Sequence, residues 1–434
     1  MKKVLLMLLL AICLIPASCN AEKSAVLIIV DGMGSSYIYP WHSPTCADGS
    51  PLPGIDLQFV EGADALYELW VPEPETESGN AVIATGCSDA TQEAFSYYGA
   101  TVYDVLREEG YLSMAIVETG DNADMRGEPD IIVHERNNSI YTPYVSMVIN
   151  GKSVSPDLCD LLMANPPVRS TAGADRAGAL KRYDNWPLEK AAEVVEYMGD
   201  AYSRQNYLLV VSVGGTDMAA HEEGFSSYSQ AIKDIDAGLV SLAAACREAG
   251  VVMMVTADHG MSFSSPNSKG AHASEKAADR NESRLAPLLV FTDGIVKKSG
   301  TFGQECLAPT LLSLMECPDT LSVGDGTSIP YGDHPSLYLV GDESSEVTID
   351  GPEVHRTAVV NGSCRVGPLS VGRYTISSSY GTSTVELDRD RTVKVAGPLP
   401  GLSVGWSWWL PCVLAVIISA AGLAVALHLL KGRQ

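Results

Sequence analysis

The sequence predicts an α/β fold: a doubly wound, mostly parallel sheet with an inserted segment, followed by a small all-β domain and one C-terminal transmembrane helix. Three observations lead to this prediction. Apolar runs alternate with helical patterns up to about residue 330, short strand-like runs separated by turn residues follow, and a long apolar stretch precedes the C-terminus. With 46% hydrophobic and 19% charged residues among 434, the composition is that of a globular chain of two or three domains.

The first 21 residues have the pattern of a secretory signal peptide. Two lysines follow Met1, residues 4–15 are apolar without a break, and residues 16–21 supply small side chains suited to cleavage. This apolar run is too short to span a bilayer, so we predict a signal peptide over residues 1–21.

Residues 22–330 are predicted to form the α/β domain. Its strand candidates are apolar runs without alternation, which is typical of strands buried on both faces of a parallel sheet. Helical patterns lie between them, and Gly250 stands where a helix C-cap is expected. The apolar runs are 25–30, 207–213, 251–255 and 288–291, and the helical patterns are 102–109, 187–204 and 229–249.

A second domain is predicted over residues 335–398. Its strand-like runs are short, as at 336–340 and 347–349, and Gly, Pro, Asn and Asp separate them at close spacing. This pattern predicts a small antiparallel β-sandwich-like or barrel domain.

The stretch 406–430 is predicted to be a transmembrane helix. From Trp408 to Leu430 only Ser419 and His428 are polar, and a helix of this length rises about 34 Å, enough to cross a bilayer core of about 30 Å. Tryptophans at its start and two basic residues in the tail 431–434 orient the tail toward the cytoplasm. We therefore predict a single-pass protein of the cell membrane with its large domains outside the cytoplasm.

An external location permits disulfides and glycosylation. Seven cysteines lie between the two terminal segments, so at least one is predicted to be free or to pair with another chain. Asn-x-Ser patterns, which predict a glycoprotein, begin at Asn137, Asn281 and Asn361.

The formal net charge is −24, from 53 acidic and 29 basic residues. A surface this acidic argues against nucleic acid or anionic lipid headgroups as the main partner, because both need a basic patch.

Aspartate and histidine residues collect at the predicted ends of three strands. Ligands of open parallel sheets bind outside the carboxyl ends of the strands, so these segments are predicted to converge on one crevice. Asp217 and His221 are four residues apart and share one face if a helix begins there. Each residue alone is better explained as a turn, a helix cap or plain surface, but the set together indicates a metal site. The set is Asp31, Asp217, His221, Asp258, His259 and His272.

These residues resemble motifs of the alkaline phosphatase superfamily, which includes metal-dependent phosphatases, type I phosphodiesterases and nucleotide pyrophosphatases, and cofactor-independent phosphoglycerate mutases. The resemblance covers about residues 24–318. It implies an alkaline-phosphatase-like catalytic domain over 22–330, in which the cap insert 119–187 covers the site and selects the substrate. The matching motifs are Val30-Asp31-Gly32, Thr76-Glu77-Ser78-Gly79-Asn80 with Ala84-Thr85-Gly86, Asp217-x-x-x-His221-x-x-Gly224, Thr256-Ala257-Asp258-His259-Gly260-Met261 and Gly270-Ala271-His272.

The resemblance implies two divalent metal ions, with Zn²⁺ expected first and Mn²⁺ as the alternative. Two such ions can hold both the attacking and the leaving oxygen of an in-line displacement. Ser212 stands where the phosphatase branch carries a glutamate for a third ion, so a third site is not expected. One ion would be held by Asp217, His221 and His272, and the other by Asp31, Asp258, His259 and the oxygen of the nucleophile.

The nucleophile is Thr76 or Ser78. Counting back ten residues from Gly86, as the phosphodiesterase branch implies, gives Thr76, while likeness to the Thr-Asp-Ser of the phosphatase branch gives Ser78. We favour Thr76, which would also bind a metal ion. Both hydroxyls could instead cap a helix N-terminus. Asn80, one turn further on, is either a donor to a phosphoryl oxygen or a solvated helix residue.

The leading hypothesis is an external, membrane-anchored, two-metal phosphohydrolase that acts on a small anionic phosphate monoester or diester through a phospho-Thr or phospho-Ser enzyme. The alternatives are a phosphoglycerate-mutase-like phosphotransferase and a non-catalytic cell-surface protein with a relic metal site. The nucleophile segment lacks a Cys/Ser-x-Pro-x-Arg string, which argues against a sulfatase. Candidates for gripping an anionic group, each individually better explained as surface charge, are Arg126, Arg136, Arg169, Arg176 and Arg182.

Overall fold

The structure is a computed structural model that describes residues 23–118, 124–137, 139–151, 154–166 and 175–395. These residues form two compact units. One contains the described residues up to Tyr338 together with Arg365–Arg373 and Glu386–Val393, and the other contains Leu339–Cys364 and Tyr374–Val385. The predicted signal peptide, residues 1–21, lies outside the described residues.

Strands form where the sequence has apolar and β-branched runs, including the four runs predicted in the α/β domain. The strands are β1 (Ala25–Val30), β2 (Ala65–Trp70), β3 (Leu112–Val117), β4 (Ile131–Glu135), β5 (Val145–Ile149), β6 (Tyr207–Val213), β7 (Val252–Thr256), β8 (Ser262–Phe263), β9 (Gly270–Ala271), β10 (Leu285–Phe291), β11 (Ser299–Gly303), β12 (Leu337–Asp350), β13 (His355–Val366), β14 (Gly372–Ser378), β15 (Gly381–Leu387) and β16 (Arg391–Lys394).

Nine strands form one large sheet in the order β11-β2-β10-β7-β1-β6-β3-β4-β5. The central strands β7, β1, β6, β3 and β4 run parallel, and Ile29 of β1 lies opposite both Ser212 and Thr256. However, β10 is antiparallel to both of its neighbours, and β5 is antiparallel to β4. The sheet is therefore mixed, but five of its eight strand pairs are parallel, in agreement with the predicted mostly parallel sheet. An apolar run indicates that a strand is buried, but it does not indicate whether the strand runs parallel or antiparallel to its neighbours.

The centre of this sheet is the core of the first unit. Every residue of β1 is buried, with no more than 4% of its surface exposed. Burial on both faces explains why its sequence does not alternate between apolar and polar residues.

Helices occupy the segments between the strands. The helix predicted over 187–204 begins earlier, at Arg176, because the Asp175 side chain accepts the Gly178 N–H and caps it there, and Pro187 lies inside it. The helix ending at Ala249 is closed by Gly250 at φ +67°, as predicted. The helices are α1 (Ser35–Ile38), α2 (Gln58–Glu61), α3 (Thr76–Thr85), α4 (Val102–Glu108), α5 (Pro156–Met163), α6 (Arg176–Ala201), α7 (Gly215–Glu223), α8 (Phe225–Ala249), α9 (Glu275–Ala278), α10 (Asn281–Arg284) and α11 (Leu307–Leu314).

The described part of the predicted insert, 119–187, contributes to the large sheet itself. Its strands β4 and β5 form one edge of the sheet, and α5 and the start of α6 follow them.

Strands β12–β16 form a second sheet of five strands, which is barrel-like. Its order is β13-β12-β14-β15, with β16 also paired to β12, and Val347–Asp350 run antiparallel to Thr375–Ser378. The small all-β domain is thus present, and of the two predicted forms, a sandwich or a barrel, the barrel-like sheet is the one observed. The runs 336–340 and 347–349 belong to one 14-residue strand, β12, which is long enough to pair with three neighbours.

The predicted transmembrane helix and the location in the cell membrane are also corrected. Among the helices of the described residues, none combines the length and the apolarity that a bilayer crossing requires. The two longest, α6 and α8, carry charged residues along their length. The segment 406–430 itself lies outside the described residues.

The described cysteines include several free thiols. Cys46 and Cys246 are buried, and Cys87, Cys159 and Cys306 are half-buried.

Candidate metal centre

The predicted ligand side chains come from segments that meet at the carboxyl edge of the central strands. Strands β7, β1 and β6 are neighbours in the sheet, and each leads directly into one of these segments. Asp31 follows β1, and its N–H extends the β1–β6 ladder by donating to the Val213 carbonyl at 2.9 Å. Asp217 lies in the first turn of α7 after β6, and Asp258 lies two residues after β7. The sheet thus brings together acidic residues that are far apart in the chain.

The first group of ligand atoms comes from Asp217, His221 and His272. Asp217 Oδ1 lies 3.2 Å from His221 Nε2 and 3.6 Å from His272 Nε2. One ligand atom from each of the three side chains lies within 4.8 Å of the others. The i, i+4 spacing on α7 puts Asp217 and His221 on one face, as predicted. His221 is the most accessible, with 40% of its side chain exposed.

The second group comes from Asp31, Asp217 and His259, whose ligand atoms also lie within 4.8 Å of one another. His259 Nε2 is 3.5 Å from Asp31 Oδ1 and 3.7 Å from Asp258 Oδ2. Asp258 is fully buried, and its Oδ1 accepts the N–H groups of Gly32 at 3.2 Å and His259 at 2.9 Å. Asp217 therefore belongs to both groups and links them, which the motif pattern did not predict.

Two backbone carbonyls orient the imidazoles toward these carboxylates. His259 Nδ1 donates to the Gly260 carbonyl at 2.9 Å, and His272 Nδ1 donates to the Pro74 carbonyl at 2.6 Å. These bonds leave an acceptor lone pair on each Nε2, facing a carboxylate oxygen that is also an acceptor. Asp217 Oδ1 is buried and faces the Nε2 atoms of both His221 and His272. A divalent cation between these facing acceptors would satisfy all of them, so the donor set fits a metal site.

The pKa values of His259, His272 and Asp217 agree with this assignment. Burial lowers the pKa of His259 and that of His272, so both imidazoles are neutral at pH 7. The hydrogen bond with Asp217 raises the pKa of His221. Burial acts to raise the pKa of Asp217, but the hydrogen bond with His221 and the electrostatic interaction with the neighbouring histidines outweigh it and hold that pKa below its ordinary value. Neutral imidazole and ionised carboxylate are the forms that bind metals.

Burial raises the pKa of Asp258 to about 7. The pKa is raised because the charged form of a carboxyl group is unfavourable in the interior without a counter-charge. An adjacent cation would lower the pKa again. The buried Asp258 thus also indicates a cation site.

Thr76 brings a hydroxyl to the second group. It is the first residue of α3, and its Oγ1 lies 3.1 Å from His259 Nε2. Ser78 lies two residues further along and is half-buried, and among the described residues its hydroxyl makes no hydrogen bond with the ligand side chains. Asn80 is buried, and its amide donates to the Thr76 carbonyl at 2.9 Å and to Asp258 Oδ2 at 3.4 Å. Asn80 therefore ties the helix to the metal site and is not a solvated residue.

Gly79 allows α3 to approach the segment after β7. A Cβ atom on Gly79 would lie 2.4 Å from the Asp258 carbonyl oxygen, a distance that real Cβ atoms do not show. The glycine between Ser78 and Asn80 is therefore a packing requirement of the site.

Two carboxylates at the site were missed by the sequence analysis. Glu118, which directly follows β3, accepts the N–H of Gly214, and Asp184, within α6, accepts the N–H of Gly215 at 3.1 Å. Both amides are at the start of α7. The apolar run 112–117 predicts a buried strand, so Glu118 could have been recognised as a polar residue at a strand end. Asp184 lies inside a helix, and its sequence context does not distinguish it from a surface residue. Of the five arginines named as candidates, Arg176 pairs with Glu222 and Glu223 at the end of α7.

Several solved structures resemble the chain at low sequence identity. A TAB5 alkaline phosphatase mutant with Mg bound in its M3 site is 12% identical, and the alignment covers 69% of this chain and 99% of that chain with a TM-score of 0.45. A putative sulfatase, yidJ, from Bacteroides fragilis is 13% identical, with coverage of 86% and 90% and a TM-score of 0.47.

Sequence comparison matches the segment that carries most of the ligands. The family model of the metalloenzyme superfamily matches residues 179–276, which include all the predicted ligand side chains except Asp31 and Thr76. A 2,3-bisphosphoglycerate-independent phosphoglycerate mutase of Cereibacter sphaeroides is 28% identical over 179 residues, which are 41% of this chain and 32% of the relative. The same enzyme of a Ruegeria species is 30% identical over 178 residues, or 40% and 31%. The chain therefore spans about a third of the length of the curated relatives it matches. The family model and the mutase relatives fit the alkaline phosphatase superfamily, whose motifs this chain resembles.

Proposed function

We propose that the chain is a metal-dependent hydrolase of small anionic phosphate esters, with Thr76 as the nucleophile. The observation that carries the proposal is the position of Thr76 Oγ1, 3.1 Å from His259 Nε2 and at the first residue of α3. A hydroxyl at the start of a helix lies where backbone N–H groups favour an anionic phosphoryl group.

Two divalent ions, Zn²⁺ or Mn²⁺, fit the donor set. When bound they would supply Lewis acidity for the charge on the phosphoryl oxygens and lower the pKa of the nucleophilic hydroxyl. The side chains that would hold them are Asp217, His221 and His272 on one side and Asp31, Asp258, His259 and Thr76 on the other.

Residues of the chain carry out the remaining steps of the proposed reaction. Thr76 Oγ1 attacks phosphorus, a bond forms between that oxygen and phosphorus, and the bond to the departing alcohol breaks. Asn80 holds the Thr76 carbonyl and thereby fixes the first turn of α3 during this step. Water then displaces Thr76 from phosphorus, which releases phosphate from a monoester and returns the free hydroxyl.

A phosphotransferase of the phosphoglycerate mutase kind is the second candidate. It is favoured by the sequence relatives, which are phosphoglycerate mutases. In that reaction a hydroxyl of the acceptor, in place of water, would take the phosphoryl group from Thr76.

The test is a panel of phosphate monoesters and diesters assayed with Zn²⁺ and with Mn²⁺ on the wild type, Thr76→Ala and Ser78→Ala. We expect turnover by the wild type, a loss of at least about 10³-fold in Thr76→Ala and little change in Ser78→Ala. Mass spectrometry of quenched enzyme should find one phosphoryl group on Thr76. A large loss confined to Ser78→Ala would move the nucleophile to Ser78.

The same assay separates the candidate functions. Conversion of 3-phosphoglycerate to 2-phosphoglycerate without release of phosphate would favour the mutase-like reaction. Wild-type protein that binds no metal and turns over no ester would contradict both reactions and favour the relic metal site.

A further inference from the structure

The helix that carries Asp217 and His221 has no cap of its own. Its N-cap residue is Gly214, which offers no side chain to accept the first N–H groups of α7. Buried amides at a helix start need acceptors, and a side chain from elsewhere must supply them here.

Two other elements supply these acceptors. The Glu118 carboxylate at the end of β3 accepts the Gly214 N–H, and Asp184 Oδ1 accepts the Gly215 N–H at 3.1 Å. Asp184 has none of its surface exposed, and it reaches this amide from the interior of α6.

The Asp184 carboxyl group and the Gly215 backbone are in such close contact that no side-chain atom fits between them. A Cβ atom on Gly215 would lie 2.2 Å from Asp184 Oδ1. The carboxyl group therefore sits directly against the backbone of α7, two residues before Asp217. Because α7 has only nine residues, a shift of its start carries Asp217 and His221 with it.

We infer that Asp184 is a positioning residue of the metal centre, which holds α7 in the place where Asp217 and His221 meet His272. His272 and Asp31 are on other segments and would not follow a displaced α7, so the ligand atoms would separate. Metal ligands must be held within roughly 0.5 Å of the productive geometry, and loss of a supporting hydrogen bond typically costs 10–100-fold in metal affinity. The inference rests on the proposed metal site, but not on which reaction the site performs.

The first test is the dissociation constant of Zn²⁺, measured by calorimetry on metal-free protein. Asp184→Leu has nearly the shape of aspartate but cannot accept a hydrogen bond, and we expect it to raise the dissociation constant at least about 10-fold. Asp184→Asn keeps an acceptor oxygen for the Gly215 N–H, and we expect it to stay within about 3-fold of the wild type.

Asp236 provides a matched control. It accepts the N–H groups of Gln58 and Phe59 at 3.0 Å and 2.9 Å, and so caps α2 from another helix, but α2 carries no metal ligand. Asp236→Leu should lower the melting temperature without changing the Zn²⁺ dissociation constant. If Asp236→Leu weakens Zn²⁺ binding as much as Asp184→Leu does, the effect is one of general stability and the inference is overturned.

Gly215→Ala disturbs the same contact by a change in α7 instead of α6. This variant replaces Asp184→Leu in the test if Asp184→Leu does not fold. Alanine is the better helix former, so a weaker Zn²⁺ affinity in this variant would report the clash with Asp184. Wild-type affinity in either Asp184→Leu or Gly215→Ala would overturn the inference. Wild-type protein that binds Zn²⁺ but hydrolyses no ester would contradict the proposed function and leave this inference open to the same measurements.

Discussion

At the scale of single residues, backbone carbonyls determine which ring nitrogen of His259 and of His272 carries the proton. The Gly260 and Pro74 carbonyls take the Nδ1 protons of His259 and His272 and leave Nε2 free to bind. His272 Nδ1 also ties the ligand to the loop that precedes Thr76, because Pro74 lies two residues before it. The proposed nucleophile and one candidate metal ligand are therefore positioned by the same hydrogen bond.

Substitution of Gly79 should damage the site although glycine carries no chemistry. In Gly79→Ala the new methyl group would lie 2.4 Å from the Asp258 carbonyl, so α3 or the Asp258 segment must move. We expect a destabilisation of about 1–3 kcal/mol, measured by urea unfolding, together with loss of turnover. Gly199→Ala is the control, because no atom lies within 4 Å of its Cβ position and alanine stabilises a helix by up to about 1 kcal/mol. Equal stability of the two variants would contradict the prediction.

At the scale of elements, α7 shows how a short helix can hold two ligands firmly. Its nine residues begin at two buried acceptors, Glu118 and Asp184, and end at Gly224, whose φ of +92° turns the chain into α8. A Cβ on Gly224 would meet the Ser268 carbonyl at 2.5 Å. Both ends of the helix are thus fixed by close contacts, and the ligands lie between them.

The buried acceptor at the start of α7 should make stability depend on pH. Burial raises the pKa of Asp184 to about 8, well above its unfolded value of about 3.9. The stabilisation from its protonated form is fully present below about pH 4 and is lost as pH rises through about 8. Asp184→Asn stays neutral, so its free energy of unfolding relative to wild type should increase between pH 6 and pH 9. Urea unfolding at the two pH values measures this difference, and a constant difference would contradict it.

At the scale of the whole molecule, the site sits on a protein of formal net charge −24. Three of the candidate ligands are aspartates, and their charge adds to that of the surface. Cations in the centre would reverse this field locally, but the anionic ester that we propose as substrate would still approach through the field of the rest of the molecule.

Added neutral salt should therefore speed the reaction with a dianionic substrate. Raising KCl from about 20 mM to about 200 mM shortens the screening length severalfold, and we expect kcat/KM for a phosphate monoester to rise about 2–5-fold. A monoanionic diester is the control and should respond less. A fall in kcat/KM for the monoester under otherwise constant conditions would show that long-range repulsion does not limit the encounter.

Much of the site could be predicted because its ligands follow recognisable strands. Asp31, Asp217 and Asp258 come after long apolar runs, and neighbouring parallel strands bring such positions together. The direction of β10 could not be predicted, because its apolar sequence is compatible with either orientation. Asp184 could not be predicted either, since a charged residue inside a helix usually faces solvent. A local apolar pattern also says nothing about bilayer insertion unless the segment forms a spanning helix, and none of the described helices does.

The position of β1 between β6 and β7 also determines when the centre can form during synthesis. Asp31 and His272 are 241 residues apart, and at about 5–20 residues per second a ribosome needs roughly 12–48 s to make the chain between them. Until β6 is made, the wholly apolar strand β1 lacks both of its partner strands, and until β7 is made it still lacks one of them. Cation binding at this centre would thus be a late step of maturation, and a nascent chain stalled before β6 would expose the apolar strand β1 to chaperones.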